Sequence, residues 1–435
     1  MPGERLPHRI IPLLYYGTAY VALGLACLMV GLAPRAIAGF FYHSWMVAIV
    51  HLLTLGWITS SILGSLYLVA PIALGVSMPG GPRDYVAFGL VLLGVIGMVA
   101  HFWIEEFSGM AWSAATVTLG VIFVAGRIAV LLRHSPMPGA VTLHIRLACL
   151  NLAVAATMGV LLGFDKVLHF LPGFVLNNVF AHAHLAAVGW ATMMVVGVGY
   201  RLLPMVLPSK PPTGATLYIS AALLEIGVLG LFVTLLMRSA WSPIFGALVL
   251  AGLVAFISHV LFMVSRRVRR PPEAPRVDFA VLHAATAGVW MLTAAGLGAF
   301  LLSRPMSDAT LHAALAYGVF GLLGFLAQMI VAMQVRLIPL FAWYSGYSAS
   351  GFQTPPPSPW TMRDRVMLTL TFAAWTIAVP AIGLGLAFEQ VGLLAAGAWI
   401  LLAGVLIGGA DSIFVLRHGR AAALARRRAA PAPPM

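Results

Sequence analysis

Thirteen histidines occur in the 435 residues, and imidazole is the side chain here best suited to bind a metal. Two of them, His51 and His184, occupy equivalent places in a repeated motif. One copy reads His51-Leu52-x3-Gly56-Trp57-x-Thr59-x4-Gly64-x2-Tyr67-x3-Pro71. The other reads His184-Leu185-x3-Gly189-Trp190-x-Thr192-x4-Gly197-x2-Tyr200-x3-Pro204. The two copies share eight residues without a gap. A weaker third copy carries Gly324-Phe325 and Arg336-Leu337-x-Pro339. Equivalent positions on equivalent helices imply equal depth, roughly 12 Å below the outer helix end at 1.5 Å per residue. Two imidazoles at one depth on adjacent helices can bind a haem iron from opposite faces. His182 lies two residues before His184, about 200° around a helix, so one helix can serve two sites. His43 is eight residues before His51, on a similar face but about 12 Å away along the axis. His312 stands at the outer end of its span, and Tyr317 is level with His182.

His101 and His169 bring the outer group to seven. Glu105 and Glu106, beside His101, suit cation binding or proton relay as well as they suit a solvated loop. A lone histidine inside a membrane is usually a hydrogen-bonded packing residue, and His8, His144 and His283 read that way, as helix-start residues. For His51, His182 and His184 the functional reading is favoured, because burying polar groups in lipid is expensive. Glu225 and Asp411 are intramembrane acids. Arg127, His259 and Asp411 share one level in the inner half, read either as a structural polar cluster or as part of a proton path. Glu225, His259 and Asp411 are the path candidates. Arg201, roughly 25 Å deeper than His184, reads as an anchor at the inner surface rather than a propionate partner.

The elements that must position these residues are apolar helices. The chain is 61% hydrophobic and 9% charged, with a mean hydropathy of +0.99. A soluble domain carries roughly 25% charge, so a soluble globular fold is excluded. Twelve runs are long and apolar enough to span a bilayer: about 11–33, 44–71, 85–103, 110–132, 144–163, 176–205, 216–237, 244–265, 279–302, 311–340, 366–388 and 391–416. They do not alternate as barrel strands would. No cleaved signal peptide is read in the N-terminal residues. Cys27 and Cys149 sit in apolar runs, and no C-x-x-C-H motif is present for covalent haem.

The net charge of +13 is explained by topology rather than nucleic acid. Arg266, Arg267, Arg269, Arg270 and Arg276 follow span 8, and Arg417, Arg420 and Arg426 to Arg428 follow span 12. The positive-inside rule then places both termini in the cytoplasm of a bacterial-type inner membrane. His8, His144 and His283 each open a first helix, and Gly120, Gly252 and Gly404 each precede a polar residue by seven positions. The expected fold is therefore an all-α polytopic membrane protein: one membrane domain, 1–428, of twelve transmembrane helices in three pseudo-symmetric four-helix units. The units are about 1–140, 141–275 and 276–420, with a disordered tail at 429–435.

Twelve helices in three such units, with histidines on the second helices, resemble subunit I of the haem–copper oxidase superfamily. His182-Ala183-His184-Leu185 through Gly189-Trp190 looks most like the cbb-type branch and its NnrS-like relatives. The resemblance spans nearly the whole chain in architecture and spans 2, 6 and 10 in motif. It implies haem b, one or two, with His184 and His51 sharing one iron and His182 facing a second site. His43 and His312 are the remaining metal-ligand candidates. The departures bear on copper and on oxygen chemistry: His-x-His lies on span 6 rather than 10, span 7 has no histidine, and no His-x3-Tyr occurs. Pairing of His312 with His184 and of His51 with His182 is the alternative arrangement. The function implied is respiratory electron transfer or nitric-oxide-linked metabolism, as an oxidoreductase subunit whose copper ligands are not recognised. Besides the bilayer, a cytochrome or another redox subunit is the implied partner. A haem-free transporter or metal-handling protein, and a purely structural assembly subunit, are the competing readings. Unbroken helices and repeats of one orientation speak against transport by inverted repeats.

Overall fold

The computed structural model describes residues 7–305 and 307–429, and they form helices and loops with no strand. Most of the expected tail lies outside them. Among the described residues, twelve helices are long and apolar enough to cross a membrane. They are α1 (Ile11–Leu32), α2 (Ser44–Ala73), α3 (Pro82–Trp103), α4 (Phe107–His134), α5 (Gly139–Leu168) and α6 (Val175–Val206). Then come α7 (Thr216–Leu236), α8 (Ser242–Ser265), α9 (Phe279–Ser303), α10 (Asp308–Ala349), α11 (Arg365–Ala387) and α12 (Val391–Gly419). Each coincides with an expected span. The widest disagreement is α10, which carries on past Pro339 to Ala349. The end of the molecule that carries His51 and His184 is taken as the upper end.

Three helices are central. The most apolar stretches of α2, α6 and α10 are 61%, 50% and 67% buried, against 17–44% in the other nine. Those nine close a belt around them in the order α1, α3, α4, α5, α7, α8, α9, α11, α12 and back to α1. The interior is therefore built from the second helix of every four.

All three central helices change their hydrogen bonding at one place. The α-helix gives way to a π-helical segment at Leu52–Thr59, Leu185–Thr192 and Val319–Ala327. The first two begin directly after His51 and His184. Unbroken α-helices were expected, since apolar composition does not report a change of register. Hydroxyls stitch the wide turns: Ser60 Oγ donates to Leu55 O and Thr192 Oγ1 to Ala187 O, each at 2.9 Å and five residues back. Such segments are rare and recur at functional sites.

Glycines in these segments let the first helix of each four come close. A Cβ on Gly56 would lie 2.4 Å from Ala22 Cβ, and one on Gly324 would lie 2.7 Å from Trp290 Cγ. The indoles below bind the central helices together. Trp57 Nε1 donates to Ala327 O (3.4 Å) and Trp190 Nε1 to Thr59 Oγ1 (3.1 Å).

Candidate functional site in the upper cleft

Above the π segments the central helices are only partly covered. His51, Leu53 to Leu55, His182, His184, Ala186 to Val188, His312 and Tyr317 to Val319 all keep some exposure, and Ala183 is exposed. From Gly56, Gly189 and Leu323 downward the same helices are mostly buried. The three-helix contact thus tightens downward and leaves a cleft at the level of the histidines.

The backbone fixes the tautomers. A carbonyl can only accept, so each imidazole nitrogen facing one must carry the proton. His51 Nδ1 donates to Val47 O and His184 Nδ1 to Phe180 O, both at 2.8 Å and one turn back. His182 Nδ1 donates across to Ala155 O on α5 at 3.0 Å. Gly159 allows this approach, for a Cβ there would lie 3.1 Å from His182 Cε1. Each ring is therefore left with a lone pair on Nε2. A second nitrogen tied to a backbone carbonyl is the usual support of a metal-bound imidazole.

The three lone pairs have different neighbours. His184 Nε2 accepts from Tyr317 Oη at 3.1 Å, and the two rings lie 5.9 Å apart at 22°. Tyr317 belongs to α10, so this bond joins α6 to α10. Neither His51 Nε2 nor His182 Nε2 is hydrogen-bonded to a described residue. Phe102 backs His51, with centroids 5.5 Å apart. The sequence favoured His51 with His184 on equal depth. In this structure His184 Nε2 is occupied by Tyr317, while the Nε2 atoms of His51 and His182 have no hydrogen-bond partner among the described residues.

The donor set can be tested against a haem. Two imidazoles on different helices offer unprotonated Nε2 atoms at partly exposed positions, which is the donor chemistry that axial ligation needs. Gly56 and Gly189 do not widen the site. Their space is taken by Ala22 and by Asn151, whose Cβ would lie 3.0 Å from a Cβ on Gly189. Among the described residues, no group of three or more His, Cys, Asp or Glu converges as a metal ion requires.

The other candidates serve elsewhere. His43 caps α2: Nδ1 accepts from Met46 N at 3.3 Å, so Nε2 carries the proton and donates to Ile37 O at 3.2 Å. Both ring nitrogens are occupied. His312 lies in the first turns of α10 and is partly exposed. His101 Nδ1 donates to Gly97 O at 2.6 Å, and Glu106 caps α4 by accepting from Ser108 N and Gly109 N.

The level polar residues do not form one cluster. Arg127 pairs with Asp84, which also accepts from Tyr67 Oη at 2.6 Å. His259 Nδ1 lies 3.2 Å from Tyr200 Oη, and Tyr200 donates to Ser220 Oγ at 3.1 Å. Asp411 pairs with Arg363, which donates to Gln334 O (2.9 Å) and Val335 O (3.2 Å). Each cluster ties a central helix to its own outer neighbours, and Tyr67 and Tyr200 are equivalent in the repeat. Glu225 accepts from Asn151 Nδ2 at 2.8 Å, and Asn151 also donates to Gly189 O at 3.2 Å. Hydrogen bonds among described residues do not join Glu225, His259 and Asp411.

Sequence reasoning passed over Tyr317 as a partner of His184, and also Asp84, Asn151 and Arg363. Tyr317 had a signal, since it aligns with His182 in the repeat. Asp84 and Arg363 stand at helix starts, where charges read as topology. No family model matches the chain, and a search of curated proteins finds no match.

Proposed function

We propose that the chain is a haem b-binding integral membrane protein, built on the haem–copper oxidase subunit I plan, that carries electrons in respiration or nitric-oxide-linked metabolism. The observation that carries this reading is the pair His51 and His182. They lie on different central helices, both Nδ1 atoms are tied to carbonyls, and both Nε2 atoms are left without a protein donor. His51 and His182 would hold the iron. His184, held by Tyr317, shapes the wall of the cleft and keeps a phenol proton at Tyr317 Oη. Phe102 excludes water behind His51. The haem, when bound, supplies one-electron chemistry at its iron. The bacterial inner membrane, cytoplasmic termini and a cytochrome-type redox partner belong to the same proposal.

The test is the absorption spectrum of the full chain purified in mild detergent. A b-type spectrum is expected in the wild type and in His283→Ala, and its loss in His51→Ala and in His182→Ala. A colourless wild-type protein, after expression with haem supplied, overturns the reading. Loss in His184→Ala with retention in His182→Ala would move the second ligand to His184.

A further inference from the structure

Below the Trp57 and Trp190 indoles the three central helices line a cavity of about 70 Å³. Its walls follow the repeat. Ile62, Val195 and Ile330 are equivalent positions and form one layer. Ser65, Val198 and Met333 form the next, and Val69, Leu202 and Leu337 the lowest. Each helix thus presents positions i, i+3 and i+7, which is one face of a helix. The cavity lies where those three faces meet. Two of the three members of the middle layer are small: Ser65 and Val198, with Gly199 beside them, leave open space that larger side chains would close.

The chemistry of the walls decides what can enter. Ser65 is the one polar side chain lining the cavity, and its hydroxyl already shares a 2.8 Å hydrogen bond with Tyr16. A buried water needs roughly 2–4 polar partners, whereas apolar cavities of this kind stay dry and take apolar guests. The volume is several times the ~10–15 Å³ needed by one water, and less than half of the ~150 Å³ that admits a benzene ring. Leu66, Val69 and Met194 on the walls are 1–2% exposed, whereas Ser65, Val195, Val198 and Met333 are partly exposed, so it is the small volume that is unsuited to an acyl chain or a quinone ring.

We propose that this cavity is a dry binding site for one small apolar molecule of diatomic size, a dissolved gas, held between the second helices of the three repeats. It lies about 20 Å below His51, at 1.5 Å per residue along α2. Its existence does not depend on what the histidine cleft holds.

Xenon under pressure on crystals of the full chain is the probe. Anomalous density is expected between Ser65, Val198 and Met333 in the wild type, with at least a tenfold loss of occupancy in Val198→Phe. Should Val198→Phe fail to fold, Ser65→Leu fills the same layer from α2 and is expected to give the same loss. Ordered water or an acyl chain in the wild-type cavity, or no xenon there, overturns the proposal. So does a xenon peak that persists at full height in a folded filling variant. A wild-type protein without pigment that still takes xenon would reject the haem reading and leave the gas site standing.

Discussion

At the scale of single residues, position in the fold changes what a histidine does. His8 caps α1, its Nδ1 accepting from Ile10 N at 3.3 Å and Ile11 N at 3.2 Å. Burial holds this imidazole below its usual 6.5, with Asp84 pulling the other way. The neutral ring is therefore favoured in the folded state. Its contribution is fully present above the unfolded value near 6.5 and is lost as pH falls through that value toward the lowered one. Protonation also removes the acceptor that α1 uses. Amide exchange at Ile10 and Ile11 is expected to quicken on acidification below 6.5 relative to His8→Asn, which keeps an acceptor without titrating. Equal pH dependence in both proteins would show that His8 does not control the start of α1. Gly80 packs against the same ring at φ +64°, where a Cβ would lie 2.5 Å from His8 Cδ2. Gly80→Ala is expected to lower the melting temperature, since the left-handed conformation alone costs about 1–2 kcal/mol. An unchanged melting temperature in detergent would refute this.

At the scale of elements, the existence, length and order of the helices were legible, because twenty apolar residues in a row have few other uses. The register within a helix was not. Leu52–Thr59 and Leu185–Thr192 carry the same apolar residues in a π segment as they would in an α-helix. A change of turn there rotates one part of the helix against the other, so the depth of His51, His182 and His184 could be read but the direction of each ring could not. Tyr317 was missed as a partner for the same reason: its level could be read, and its direction could not. The polar residues on the fourth helices were legible as a set, yet each proved to have a local partner. Arg363 and Asp411 show the consequence. Their side chains are 6% and 1% exposed, and the pair ties the start of α11 to α12. Asp411→Ala would leave a buried guanidinium unpaired, at about 3–5 kcal/mol. The double variant Arg363→Met with Asp411→Leu is expected to recover most of that loss, because a buried ion pair is often replaceable by apolar side chains. Thermal unfolding of the three proteins in detergent checks both outcomes. A double variant no more stable than the single one would mean that the hydrogen bonds from Arg363 to Gln334 O and Val335 O hold this corner together instead.

At the scale of the whole molecule, two expectations meet. The charge pattern predicts that the α7–α8 loop faces outward and the α8–α9 loop faces the cytoplasm. Cys27 and Cys149 are buried, so introduced cysteines report cleanly. Met237→Cys should react with an impermeant maleimide in intact cells, and Glu273→Cys only after permeabilisation; the reverse pattern would invert the topology. The second expectation is that units 1–140, 141–275 and 276–420 superpose after a rotation of roughly 120° about an axis along the membrane normal. Three observations favour such an axis. The belt keeps one order, first helix, third, fourth, through all three units. The π segments recur at equivalent places. Trp57 reaches from α2 to α10, and Trp190 makes the corresponding reach from α6 to α2. Phe325 stands at the third place, where a phenyl ring has no proton to give, and this explains why the set of bonds is open by one. Phe325→Trp is expected to supply it, toward Thr192, the residue equivalent to Thr59 and Ala327. Under threefold symmetry the new indole N–H should find Thr192 Oγ1 in an experimental structure, and the variant should melt no lower than the wild type. If the units are related by an axis in the membrane plane instead, the introduced indole would point away from Thr192, and the threefold description would fall.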